Sequence, residues 1–368
     1  MQKKLLYEVS VIRPLVIFLL VVYHALCPFT GGWEPPAGVA DNTLYWWLGH
    51  LISGFRIETI ALVGGYVFAY QCIERGRRVG LPRFAWKKFK RLIIPCFVFG
   101  TVYYLLFRFH PDRFSWYEAF WRVANGVGHL WFLPMLFWCF LAGWLADRLL
   151  AWLRERHPRW FSPVGWGLLV GFAALSLLRL QGLKMGLTRA PYFLLYFYLG
   201  YWLRCLGAQR WRWRGITCVA LWLAYLLLLL LHLQTTHAYL PGCPFRCPEP
   251  LCGWNLVAIR LVTLGQTTCG IMALYATVIV AVSRFRIQDS GGPGPFLSEC
   301  SRQCYGVYVL HGFIMRPIYY QTAFPQWCCA SGVGEWLLPW AVLLMTLLLS
   351  IAGTQLLLRT RAGRFLIG

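Results

Sequence analysis

Long apolar runs separated by short polar segments dominate the chain. They fall at about 11–29, 44–71, 92–107, 129–146, 163–179, 190–203, 215–233, 254–282, 304–320 and 336–358. Crossing a hydrocarbon core of ~30 Å takes roughly 20 mostly apolar residues in a helix. Each run therefore predicts one spanning helix. The run at 92–107 is short and the one at 190–203 shorter still, so these two either tilt little or extend into their flanks. The pattern predicts an all-α fold: a polytopic transmembrane helix bundle of about ten spans.

Composition agrees. Of 368 residues, 59% are hydrophobic and only 13% charged, against about 25% charged in an ordinary soluble domain. That balance excludes disorder and a two-domain cytosolic enzyme. The net charge of +22 would point to nucleic acid in a soluble protein, but in a membrane protein it is first a matter of topology. With the N-terminus inside, the segments 1–13, 72–91, 147–161, 204–214, 283–303 and 359–368 hold 25 Lys and Arg, whereas the opposite loops hold 7. This bias fits ten crossings with both termini cytoplasmic, and no nucleic-acid partner is expected. No small-residue cleavage site precedes Pro28, so the first run reads as a span and not as a removable signal. No internal repeat and no loop large enough for a soluble domain is seen. The expectation is one membrane-embedded domain, residues 1–368, with its chemistry on helices inside the membrane.

Five of the 14 cysteines, Cys243, Cys247, Cys252, Cys328 and Cys329, map to outside loops, where an oxidising compartment permits disulfides. Cys243 and Cys247, with Cys252 and His237 nearby, also read as metal ligands, but the spacing lacks a paired second half. A disulfide tying down the loop is the stronger reading, and no metal site is expected.

Ionisable residues inside spans are costly unless paired or used, and four places stand out. Arg13 and His24 lie 11 residues apart in the first run, three turns plus about 20°, so they share a helix face ~16 Å apart along the axis. A neutral His takes a proton from a hydroxyl or briefly carries an acyl group, and it also serves simply to bond a neighbouring helix. The 72–91 segment carries eight basic residues against one acid. Lys87, Lys88, Lys90 and Arg91 stand at the mouth of the third span, suited to a phosphorylated ligand or equally to anionic lipid headgroups. His129 and Trp131 open the fourth span, where an aromatic belt is common. Glu58 in the second span and His311 in the ninth are both placed to face His24, and the sequence leaves open which does. No GxSxG elbow, Walker loop, GxGxxG or HExxH occurs, and no Asp lies mid-span.

Taken in order, these elements resemble the acyltransferase-3 family of membrane proteins, which O-acylate sugars of bacterial envelopes. The Arg13…His24 pair comes first, then Phe55-Arg56 leading to Val63-Gly64-Gly65-Tyr66. Lys88-Phe89-Lys90-Arg91-Leu92-Ile93-Ile94-Pro95 is next, then His129-Leu130-Trp131-Phe132-Leu133, and finally Tyr305-Gly306-Val307-Tyr308-Val309-Leu310-His311. The chain departs from the family pattern at three points. Lys88 replaces an Arg, Gly64 a Ser, and Glu58 an apolar or aromatic residue.

The resemblance implies transfer of an acyl group, most often acetyl, from cytoplasmic acyl-CoA to a hydroxyl of an envelope or exported glycan. The setting it implies is the bacterial cytoplasmic membrane. Carried over residue by residue, His24 is the catalytic candidate and Arg13 its partner towards the donor. Lys88 and Arg91, with Lys87 and Lys90 beside them, form the donor phosphate clamp. Glu58, His129, Trp131, Tyr305, Tyr308 and His311 are candidates for the acceptor or for support. Acyl-CoA, the glycan acceptor and membrane lipids are the expected partners, with no permanently bound cofactor. The alternative is a proton-coupled transporter or flippase of a glycosylated or acylated molecule, with His24, Glu58 and His311 as a proton relay; no inverted repeat supports it. Outer aromatics such as Trp33, Trp116, Trp121 and Trp327 suit sugar stacking and interface anchoring alike.

Overall fold

Backbone N–H and C=O groups find no solvent partner in hydrocarbon, so an apolar run satisfies them internally by forming helix. The computed structural model describes residues 6–178, 180–208, 211, 213–235, 253–284 and 294–368. Among the described residues the regular structure is helical, with no strand. The helices are α1 (Tyr7–Thr30), α2 (Thr43–Ser53), α3 (Arg56–Ala69), α4 (Leu81–Lys88) and α5 (Ile94–Phe107). Then come α6 (Trp116–Ala124), α7 (Phe132–Arg156), α8 (Pro158–Leu177), α9 (Ala190–Cys205) and α10 (Gly215–Thr235). The last five are α11 (Gly253–Arg284), α12 (Pro295–Tyr320), α13 (Phe324–Cys329), α14 (Gly332–Arg359) and α15 (Arg361–Ile367).

Every apolar run coincides with helix, and among the described residues eight segments are long and apolar enough to cross a membrane. The short run at 92–107 does extend into its flank, as part of a 27-residue segment from Leu81 to Phe107. The other two runs are α9, which has 16 residues, and α12, which has 26 but carries Glu299, Arg302 and Arg316. Cys243, Cys247, Cys252 and His237 lie outside the described residues, and Cys328 and Cys329 are free thiols.

Packing divides the chain into two units, residues 1–59 with 212–353 and residues 60–211 with 354–368. In the first, α1 is a central helix packed against α2, α11 and α12. Ile12, Val16, Leu20, Val21, Ala25 and Leu26 are buried along it. α12 runs parallel to α1, since Arg13 lies within electrostatic reach of Cys304 while the Tyr319 hydroxyl donates to the Ala25 carbonyl at 2.5 Å. The second apolar run is not one helix. It breaks at Gly54 and Phe55, between α2 and α3. Carbonyls freed by the break are met from nearby: Tyr225 donates to Leu51 O at 2.5 Å and Arg56 Nη1 to Ser53 O at 2.8 Å. A Cβ at Gly54 would meet Gln266 Nε2 and Tyr225 Oη, so a larger residue would displace these side chains of α11 and α10 from the break.

In the second unit α7 packs on α8 and α9. Phe68, Phe84, Phe140 and Phe197 form an aromatic core with ring centroids 4.9–6.4 Å apart. Gly65 sits against the Phe197 carbonyl and Gly200 against that of Leu62, so α3 and α9 approach backbone to backbone. Two π-turns, Tyr70–Glu74 and Phe89–Ile93, interrupt the α-helical pattern. By contrast, α8 has a single fully buried residue, Gly165 against the Trp202 ring, and is partly or wholly exposed along the rest of its length.

Candidate active site

In the first unit, α1 and α12 each present a histidine to the other, and the two ring centroids lie 4.9 Å apart, tilted by 39°. His24 Nδ1 lies 3.0 Å from the Leu20 carbonyl one turn back, and His311 Nδ1 lies 2.7 Å from that of Tyr308. A carbonyl oxygen only accepts, so each Nδ1 carries the proton and each Nε2 presents its lone pair. The main-chain carbonyls of their own helices thus favour the same tautomer in both rings. His311 is buried and His24 half-buried, so of the two His24 is the more open to a substrate. The sequence leaves open whether His311 or Glu58 meets His24; it is the His311 ring that lies against it.

Glu58 stands in the first turn of α3, within electrostatic reach of Arg56 and Tyr225. Arg56 is buried, its guanidinium 3.4 Å from the Tyr23 ring centroid. Tyr23 in turn meets His24 edge-on at 5.6 Å. Arg13 is half-buried beside Cys304, on the same helix that carries His311. Tyr308 lies 6.2 Å from His311, and Tyr305 stacks on Tyr308 at 6.4 Å. At the exposed foot of α12, hydrogen bonds from Arg302 and Gln303 hold the Glu299 carboxyl below its usual range, so it stays ionised there.

The basic segment belongs to the second unit, where it is pinned before any ligand is considered. Arg148 and Trp144 both donate to Val79 O, at 2.8 and 3.0 Å. Arg78 pairs at 3.4 Å with buried Asp147, which also accepts from Tyr201 at 2.9 Å. Glu74 pairs with Arg204. The four residues of the expected clamp then sit on α4 and the π-turn. Lys88 Nζ lies over the Phe140 ring at 3.3 Å and the Phe84 ring at 5.5 Å. Lys90 lies over Trp86 at 5.7 Å. Lys87 is exposed, and Arg91 donates to the Gly368 carbonyl. Lys88 lies within electrostatic reach of Lys87 and Arg91, and two of the four cations, Lys88 and Lys90, rest on aromatic faces. A π-turn inserts one residue and re-aims the side chains beyond it, and such turns are frequent at functional sites.

His129 lies in a 3-10 turn before α7, its ring 5.8 Å from Tyr103. Trp131 carries Arg189 over its face at 4.2 Å. Gly64 has its Cβ position 3.5 Å from the Phe197 ring, an ordinary contact, so a Cβ is accommodated there. Among the described residues no three His, Cys, Asp or Glu side chains converge as a metal site.

Two features have no signature in the sequence. The break at Gly54 is hidden because a run of apolar residues looks the same whether or not the helix continues. Trp33 is one outer aromatic among several, yet its indole stacks on the His24 ring at 5.7 Å and 29°; Trp116 and Trp327 are 81% and 74% exposed.

Against known families, the profile of the acyltransferase-3 family, an acyltransferase domain, matches residues 6–358, nearly the whole chain. No curated protein and no solved structure matches.

Proposed function

The chain belongs to the acyltransferase-3 family and is an integral, multi-pass membrane acyltransferase, and from that premise we propose that it carries an acyl group, acetyl first among candidates, from acyl-CoA to a hydroxyl of an envelope or exported glycan at the bacterial cytoplasmic membrane. In this reading the His24 Nε2 lone pair takes the proton of the acceptor hydroxyl as its oxygen attacks the thioester carbonyl. A C–O bond forms, the C–S bond breaks, and the proton returns to the departing thiolate. His311, its own lone pair beside the first, helps to hold that proton in transit. Lys87, Lys88, Lys90 and Arg91 bind the donor phosphates, and Arg13 assists on the α12 side.

The observation that carries the reading is the histidine pair. Both Nδ1 atoms are tied to main-chain carbonyls of their own helices, and the two rings face one another at 4.9 Å. General base catalysis contributes about 10²–10⁴-fold. His24→Ala in lipid nanodiscs with radiolabelled acetyl-CoA is therefore expected to lose transfer by about that factor while the protein still inserts and folds. Full activity in this variant would remove His24 from the mechanism.

A further inference from the structure

Trp33 lies on the loop after α1, and the local geometry explains how it returns to the site. Gly31 ends the helix at φ 73°, in the left-handed region that favours glycine. The Trp33 N–H then bonds back to the Cys27 carbonyl at 3.2 Å. At Gly32 a side chain would come within 3.2 Å of Cys27 Sγ, so the reversal is tight. It lays the indole near-parallel on His24. Two tyrosines of α12 hold it there. Tyr319 and Tyr320 each stand 6.3 Å from the indole, and the Tyr320 hydroxyl anchors the next residue by donating to Glu34 O at 2.8 Å. The His24 imidazole is therefore flanked by three rings: Tyr23 edge-on at 5.6 Å, His311 at 4.9 Å, and Trp33 at 5.7 Å. Of the three, Trp33 alone is supplied by a loop.

An imidazole that activates an alcohol activates water by the same step. Each attack forms a C–O bond at the thioester carbonyl, breaks the C–S bond and returns the proton to the thiolate. One gives an ester, the other a carboxylic acid and a wasted donor. Excluding water is the general defence against the second outcome. We propose that Trp33 is a specificity-determining residue that shields the His24 imidazole from water and so favours transfer to an acceptor hydroxyl over hydrolysis of the donor. The proposal rests on the assignment of His24 as the reacting base.

The test pairs a chemical probe with turnover. Diethyl pyrocarbonate acylates an exposed neutral imidazole: the ring nitrogen bonds to one carbonyl carbon, and ethyl carbonate leaves as ethanol and carbon dioxide. Wild type, Trp33→Ala and Trp33→Phe in nanodiscs are treated with it, and labelling of His24 is read by mass spectrometry against exposed His110 and His157. Trp33→Ala is expected to raise relative labelling of His24 roughly tenfold, and acceptor-free hydrolysis of acetyl-CoA by a similar factor, the equivalent of ~1.4 kcal/mol of barrier. Trp33→Phe keeps a flat ring and stays near wild type in both. Equal labelling of His24 in wild type and Trp33→Ala overturns the proposal, as does raised labelling when wild type hydrolyses the donor and Trp33→Ala hydrolyses it no faster. Raised labelling with no thioester turnover in any variant leaves the shield standing and overturns the acyl-CoA reading instead.

Discussion

The histidine pair and the basic turn meet opposite physical demands. At the pair, a few uncharged atoms are over-determined: each imidazole is tied to its own helix by a main-chain hydrogen bond, and aromatic rings close in around His24. At the turn, four cations crowd into the five residues from 87 to 91, and the structure spreads their charge over Phe84, Phe140 and Trp86 and onto a carbonyl. The first arrangement fixes directions; the second supplies a field. Chemistry that forms and breaks bonds needs the first, and holding a polyanion needs the second. Substitutions in the two regions should therefore fail in different kinetic parameters.

The largest effect belongs to His24→Ala, where kcat falls by about 10²–10⁴-fold and donor affinity is unchanged, as single-turnover assays and acetyl-CoA binding would show. If affinity falls as far as kcat, the two regions are not separable in function. His311→Gln is expected to lower kcat less, because it removes a helper and leaves the His24 lone pair in place; a loss equal to that of His24→Ala would make the two rings equal partners. Lys88→Met keeps an apolar chain beside Phe140, whose ring now carries the ammonium, and removes the charge. It is expected to raise the KM for acetyl-CoA roughly tenfold, the worth of one charge-assisted hydrogen bond of about 1.5 kcal/mol, with kcat preserved. Arg91→Gln should behave in the same way. A fall in kcat with KM constant in either variant would blur the contrast. The smallest effects on activity come from the scaffold. Gly65→Ala drives a methyl into the Phe197 carbonyl and is expected to cost about 1–3 kcal/mol, seen as a lower unfolding temperature, whereas Gly64→Ser is expected to be well tolerated.

Much of this frame is legible in the amino-acid sequence, for identifiable reasons. All ten apolar runs are helical because hydropathy reports the one property that hydrocarbon demands, and the spacing of Arg13 and His24 reports a shared face because α1 is a continuous helix. What the sequence leaves open are relations between elements. Whether Glu58 or His311 meets His24 depends on which helix packs beside α1. The π-turn at Phe89–Ile93 depends on one hydrogen bond being five residues long instead of four. Trp33 carries no mark that separates it from Trp116, because its distinction is the glycine reversal that aims it. The break at Gly54 is met by Gln266 and Tyr225, which lie far away in the chain.

α8 shows the other extreme. Almost none of its apolar window is buried, and its glycines Gly167 and Gly171 have nothing within 4 Å of where a side chain would begin. Lipid asks that such a helix be greasy but does not ask in what order. Leu, Val, Ile and Phe are then near-synonyms along the exposed side of α8, and its lineage is free to respell that side while keeping its meaning. α1 has no such licence. With its residues wedged between α2, α11 and α12, it is read letter by letter, and a record of its descent would be written there in far fewer changes.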